Sequence, residues 1–284
     1  MESILGQTLD EYQIISQLGS NATFLGTRLS DNKEVVIKQS LLTNDFTQGN
    51  LEVHSFDGIE HDNVLVPIKN IYKRPYFYTV YEYWPGATLA EYVKEKKSLT
   101  EVEVREIMEQ LICGYLELEK CKVIYKNIKP ENIFVLRDNK FVVKLFDFAN
   151  VEKKVSARDP YLAPEIIAKE TNFPIENSSD IWSIGAVMYF VINGYPPIET
   201  LEQKKINTYF LHSEVSPCCK DLVLGCLEYE PKNRPMIEEI LRHPFITGEE
   251  FVRPLLSKYS HETEIKNIEQ IKVPLKFAMG KILL

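Results

Sequence analysis

The sequence predicts an α+β protein of two lobes, a small β-rich N-terminal lobe and a larger, mainly helical C-terminal lobe. Three observations carry this expectation. Residues 12–82 alternate short β-branched and aromatic runs with turn residues, the pattern of strands. From Trp84-Pro85-Gly86-Ala87 onward the hydrophobic period becomes helical. The chain has 284 residues, 44% hydrophobic and 26% charged, enough for one large domain with a sizeable core. A strand-rich segment ahead of a helix-rich one is an α+β arrangement.

In order along the chain, strands are predicted at Tyr12 to Leu18, Thr23 to Leu29 and Glu34 to Gln39, with Ser30-Asp31-Asn32 as the turn joining the second and third. A helix is expected from about Asp45 to Phe56, then strands at Val64 to Ile71 and Tyr76 to Glu82. In Thr100-Glu101-Val102-Glu103 a threonine precedes a glutamate by three residues, which is a capping box. The helix behind it aligns Ile107, Leu111, Tyr115 and Leu118 on one face. Short strands at Ile133 to Leu136 and Phe141 to Leu145 flank a turn at Asp138-Asn139. Ser178-Ser179-Asp180 opens an apolar helix that stops at Asn193-Gly194. Helices near Cys218 to Tyr229 and Pro235 to Arg242 close the domain, with Pro235 suited to a first helical position. The division is a short N-terminal extension (1–11), an N-lobe (12–82) and a C-lobe (83–247), with 12–247 as one domain, then a C-terminal tail (248–284).

Charge and composition narrow the function. A formal net charge of −8 disfavours nucleic acid or an anionic membrane as the main partner. The five cysteines lack zinc-site spacing and read as free thiols of a reducing compartment. Met1-Glu2-Ser3 opens no signal peptide, and the most apolar run, Ile181 to Ile192, is too short to span a bilayer. A cytoplasmic protein, or a nuclear one, is the expectation.

The decisive stretch is Val123-Ile124-Tyr125-Lys126-Asn127-Ile128-Lys129-Pro130-Glu131-Asn132. It resembles the catalytic loop of eukaryotic protein kinases, His-Arg-Asp-Leu-Lys-Pro-Glu-Asn. Lys129, Pro130, Glu131 and Asn132 match, in the serine/threonine wording, whereas Tyr125, Lys126 and Asn127 depart. Other landmarks stand in the family's order. Val35-Val36-Ile37-Lys38 resembles the strand carrying the phosphate-binding lysine. Glu52, nine residues before His61, lies where the family has its third helix. Asp147-Phe148-Ala149 stands for Asp-Phe-Gly, and Ala163-Pro164-Glu165 for the end of the activation segment. Asp180-Ile181-Trp182-Ser183-Ile184-Gly185 matches the buried central helix, and Arg234 the arginine that pairs with the glutamate of Ala-Pro-Glu. Any one of these is a weak signal, and seven in order are a strong one. The resemblance implies a two-lobed protein-kinase-like fold over roughly Tyr12 to Phe245.

It also implies roles. A triphosphate needs fixed cations and metal ligands. Lys38 would supply a positive charge to the α and β phosphates, with Glu52 holding Lys38. Asn132 and Asp147 would offer the hard oxygens that Mg2+ prefers, and Lys129 would neutralise charge on the transferring group. Glu82 and Trp84, around Tyr83, resemble the hinge that binds adenine, with Tyr81 narrowing the space behind it. Gly19 begins the phosphate-covering loop. ATP and Mg2+ are the implied cofactors, and a protein the implied partner or substrate.

Asn127 is the main departure. The family's aspartate accepts the substrate hydroxyl's proton. A neutral amide oxygen is a very poor proton acceptor at pH 7. The nearest downstream acid, Glu131, matches a family residue with a different place, so the local sequence offers no substitute carboxylate. Asn21 and Phe24 stand where the covering loop has its next two glycines, with Gly26 out of register. Ala149 replaces a hinge glycine. Tyr125 replaces a histidine that packs on the phenylalanine matched by Phe148. Lys126 replaces the arginine that captures an activation-segment phosphate. Asp147 to Glu165 is a short 19 residues with Ser156 as its one hydroxyl of the serine/threonine kind. The expected function is a pseudokinase switch or scaffold with a largely retained Mg-ATP site. The alternatives are a slow, non-standard serine/threonine kinase and a nucleotide-free interaction domain.

Overall fold

The computed structural model describes residues 4–18, 22–41, 59–97, 99–122, 125, 127–147, 159–168, 177–197, 204, 209–212 and 214–249. The expected helix at Asp45 to Phe56 and most of the tail, from residue 250 onward, lie outside them, as do Gly19, Asn21, Glu52, Lys126, Phe148, Ala149 and Ser156.

The N-terminal lobe is a six-stranded antiparallel sheet. Its strands are β1 (Thr8–Leu9), β2 (Tyr12–Gln17), β3 (Thr23–Arg28), β4 (Glu34–Leu41), β5 (Lys69–Lys73) and β6 (Tyr76–Glu82), in the order β1-β2-β3-β4-β6-β5. Alternation of buried and exposed residues along β2 and β4 turns Tyr12, Ile14, Val35 and Ile37 into one small core with Phe24, Tyr78 and Val80. The predicted turn forms: Asn32 takes a left-handed conformation (φ 59°), and the Arg28 guanidinium grips Asp31 at 2.6 and 2.9 Å.

One N-lobe expectation is corrected. The strand foreseen at Val64 to Ile71 pairs with β6 only from Lys69 to Lys73. Val64 instead forms a parallel bridge with Leu145, and the Leu65 amide donates to the Leu145 carbonyl at 2.8 Å. Asn63 fixes this crossing: its side-chain amide donates to the Gln110 side chain (3.1 Å) and the Val143 carbonyl (2.9 Å). Alternation alone could not separate these residues from the strand that follows.

The C-terminal lobe is helical around a small sheet. The strands β7 (Ala87–Thr88), β8 (Ile133–Arg137) and β9 (Phe141–Leu145) pair in that order. Helix α1 (Leu89–Lys96) begins with a capping box at Thr88 and Glu91 that the sequence reading passed over. Helix α2 (Glu101–Lys120) begins with the predicted box: the Glu103 amide donates to Thr100 Oγ1 (3.3 Å) and the Thr100 amide to the Glu103 carboxylate (2.9 Å). Ile107, Leu111, Tyr115 and Leu118 are fully buried. After the short α3 (Pro164–Ala168), the apolar α4 (Ser178–Asn193) runs through the centre of the large core and ends at Gly194, whose φ of 77° suits glycine.

Helix α5 (Pro217–Cys226) is shorter than foreseen, and α6 (Ile237–Leu241) begins later than foreseen. Met236 caps α6, its amide donating to the Glu239 carboxylate at 3.0 Å, so Pro235 precedes the helix rather than opening it. Prolines that do open helices are Pro164, Pro217 and, in the terminal turn α7 (Pro244–Thr247), Pro244. Among the described residues no helix is long and apolar enough to cross a membrane.

Candidate active site

The loop that follows α2 is fixed from beneath by α4. The wholly buried Asp180 accepts the Tyr125 amide at 2.8 Å and the Tyr115 hydroxyl at 3.2 Å. The Tyr125 ring is buried, and its hydroxyl reaches the carbonyls of Phe146 and Asn132. Burial, with Asp147 nearby, pushes this phenol well above its ordinary value, so it remains a neutral donor. Tyr125 therefore clips the loop to the strand end at Phe146. Its expected partner Phe148 lies outside the described residues.

Four of the predicted site residues come together above that clip. Lys38, on β4 between Thr23 and Thr79 of the flanking strands, forms an ion pair with Asp147. Asp147 is buried and sits in the left-handed region (φ 67°), a conformation that aspartate tolerates better than most residues. The Asn127 side chain donates to the Asp147 carbonyl at 3.1 Å. The Asn132 side chain donates to the Asn127 carbonyl at 2.8 Å. With its amide nitrogen so fixed, Asn132 keeps its oxygen as the accepting end. A 3-10 turn over Pro130–Asn132 sets its direction, the Asn132 amide donating to the Lys129 carbonyl at 2.9 Å.

Glu82 and Trp84 stand at the end of β6. Glu82 pairs with Val35, and the Lys144 ammonium lies 4.7 Å from the Trp84 ring centre. Tyr81 is buried behind them, its phenol pushed well up by burial and by Asp147. Gly19 and Glu52 cannot be placed with these groups, since both lie outside the described residues. Gly26 has a packing role, because a side chain there would collide with the Gln13 carbonyl and Ile37, each 2.8 Å from its Cβ position.

The donor set fits a magnesium nucleotide. One buried carboxylate, one carboxamide oxygen and one adjacent ammonium are the groups that a phosphate-bound magnesium calls for. No cluster of three or more histidine, cysteine or acidic residues able to hold a metal alone occurs among the described residues. A metal here would take its remaining ligands from phosphate and water.

On the other side of Lys129 lies a groove of about 610 Å3, bordered by Lys94, Glu131, Asp159, Tyr161 and Phe190. Two buried cations flank Trp182 in the same lobe. Arg234 uses all five N–H donors, two on Glu165 (2.6 and 2.8 Å) and three on the carbonyls of Ser178, Glu228 and Tyr229. Fully buried Lys204 donates to the carbonyls of Asp159 (3.0 Å) and Leu162 (2.6 Å). Burial lowers its pKa to about 8.

The Glu165–Arg234 pair is what the motif order anticipates, whereas Lys38, expected to be held by Glu52, is paired with Asp147. The profile of the protein kinase domain matches residues 12–246. The chain belongs to the protein kinase family. This kinase domain is similar to the "Probable serine/threonine-protein kinase CCRP1" of Zea mays, at 32% identity over 76% of this chain and 38% of the maize protein. It is also similar to the calcium and calcium/calmodulin-dependent serine/threonine-protein kinase of Oryza sativa subsp. japonica, at 26% identity over 79% of this chain and 46% of the rice protein. The chain thus spans less than half the length of these relatives.

Sequence reasoning missed Asp159, which lines the kinase domain's groove, and Lys204, which holds the Asp159 carbonyl. Lys204 sits in a polar stretch where a buried lysine leaves no sequence signature. Asp159 lies 32 residues after Asn127, too far along the chain for a local search to link them.

Proposed function

We propose that this chain is a magnesium-ATP-binding signalling protein of the kinase family whose phosphotransfer is strongly impaired, acting chiefly through the conformation its nucleotide site imposes on a protein partner. The observation that carries the reading is the network of Lys38, Asp147, Asn132 and Asn127. Its cation and oxygen donors suit a metal-bound triphosphate, while the residue beside the acceptor is an amide. Lys38 would hold the phosphates, Asp147 and Asn132 the metal, and the backbone around Glu82 and Trp84 the adenine. Magnesium held by Asp147 and Asn132 would neutralise phosphate charge.

Asn127 cannot serve as the proton acceptor. Its Nδ2 is occupied in holding the Asp147 carbonyl, and a carboxamide oxygen has almost no basicity at neutral pH. Loss of a general base typically costs about 10²–10⁴-fold. Positioning and electrostatics account for most phosphoryl-transfer catalysis, so slow transfer to a serine or threonine hydroxyl is compatible with this site.

The test is phosphorylation in trans by the purified chain, with Asp147→Ala as control. The expected result is a slow incorporation of phosphate that the control abolishes. Rapid transfer at rates of an ordinary kinase, about 1–100 s⁻¹, would contradict the impaired reading.

A further inference from the structure

A small cavity lies directly against Asn127. Its walls include Lys129, Asp159, Tyr161 and Ser183. Its volume of about 20 Å3 is room for a single water molecule. Asp159 therefore borders the same space as Asn127, the position of the missing base, although it comes from the far end of the activation segment.

The structure holds Asp159 in place from both sides. Its Oδ1 accepts the Tyr161 amide at 3.0 Å, and the Tyr161 carbonyl in turn accepts the Ser183 hydroxyl of α4 at 2.8 Å. Its own carbonyl accepts the buried Lys204 ammonium at 3.0 Å. The second carboxylate oxygen, Oδ2, has no hydrogen-bond donor among the described residues. Asp159 is half-buried and also borders the larger groove, next to Lys129 and Glu131. Of the two acids there, it alone borders the cavity beside Asn127.

We propose that Asp159 is the surrogate base of this kinase domain, taking the proton of a substrate hydroxyl across the cavity it shares with Asn127 and Lys129. This rests on the magnesium-ATP reading of Lys38 and Asp147. The hydroxyl oxygen of a serine or threonine forms a bond to the γ-phosphorus of a nucleoside triphosphate. The bond from that phosphorus to the bridging oxygen breaks, and its electron pair leaves with the nucleoside diphosphate. The hydroxyl proton passes to Asp159 Oδ2, through the single water that the cavity has room for, and then to solvent. Lys129, on the wall of both spaces, supplies a positive charge beside the transferring group. A base reached through water is a legitimate general base, but its distance makes it a slower one than a carboxylate at position 127.

The test uses the full chain and the variants D159N, D159E and N127D/D159N. The readouts are γ-phosphate transfer to a degenerate serine/threonine peptide library and the melting shift caused by magnesium-ATP. D159N keeps the acceptor for the Tyr161 amide and should fold. It is expected to lower transfer by about 10²-fold while keeping the nucleotide-induced melting shift. D159E should retain part of the transfer. In the N127D background, where a nearer carboxylate is introduced, D159N should cost less than in the wild type. Equal transfer in D159N and the wild type, including none in either, with the melting shift present in both, overturns the proposal and leaves the nucleotide reading standing. Absence of the shift in the wild type overturns both.

Discussion

On the side of Asn127 that faces the β-sheet, the polar groups meet in one ion pair, Lys38 with Asp147, and two amide donations from Asn127 and Asn132. On the side that faces α4, the buried cations are spent on protein: Arg234 on Glu165 and three carbonyls, Lys204 on two carbonyls. On the proposed reading the first side would exchange partners for a ligand, because the Lys38 ammonium and the Asp147 carboxylate are the charges that phosphate and metal call for. The second is committed to protein, since all five Arg234 donors are bonded and the buried Lys204 ammonium is held by two carbonyls. On that reading one half of this kinase domain receives a ligand and the other keeps a shape. The departures from the family pattern at the catalytic loop fall on the boundary between them, at Asn127.

The largest expected effect breaks the rigid half. Arg234→Ala removes a fully bonded buried guanidinium and strands Glu165, whose side chain is only 9% exposed. Breaking a buried pair from one side costs about 3–5 kcal/mol. Chemical denaturation should show a lower midpoint with an unchanged slope. A loss under about 1 kcal/mol, the value of a surface pair, would mean that Arg234 is not bonded as described.

Asn127→Asp probes the boundary itself. It deletes the amide donor to the Asp147 carbonyl and sets a carboxylate against that oxygen, so stability should fall by about 1–3 kcal/mol. The same change introduces a base at the acceptor position, so transfer should rise, by up to about 10²-fold. Stability and rate moving in opposite directions would be the signature, read from a melt and a kinase assay on one preparation. A rate gain without a stability loss would argue that the Asn127 amide is not a structural tie.

The smallest effect concerns Lys204. Its folded pKa of about 8 lies below the ordinary lysine value of 10.5. Between those values the unfolded chain binds the proton and the folded chain does not, so stability rises with pH across that window. As pH falls through 8 this contribution is lost, because the buried amine must take up a charge. Lys204→Met should flatten the stability–pH curve between about 8 and 10.5. An unchanged curve would place the ammonium in contact with water.

Much of this was legible in the sequence, for identifiable reasons. The strands around Lys38 alternate cleanly, the α2 box is written in Thr100 and Glu103, and α4 is apolar along almost its whole length because it is buried all round. Motif order located Lys38, Asn127, Asn132 and Asp147. What sequence could not supply is contact between distant segments. Val64 joins Leu145 rather than β6, because Asn63 is tied to Gln110 and Val143. Asp159 shares a cavity with Asn127, and its ties to Tyr161 and Lys204 hold it there. The Asn127 side chain reads as a mere loss in sequence, whereas in the fold it is a donor that aspartate could not replace.

The central claim, a ligand-ready half beside a self-satisfied one, is tested most directly by thermal melts with and without magnesium-ATP, in the wild type and in Lys38→Ala. A ligand at about 100 times its dissociation constant stabilises by about 2.7 kcal/mol, which for a domain of this size is roughly 5–10 °C. A magnesium-dependent upward shift in the wild type that Lys38→Ala abolishes is the predicted result. No shift at millimolar magnesium-ATP, or a shift that Lys38→Ala leaves intact, would contradict it.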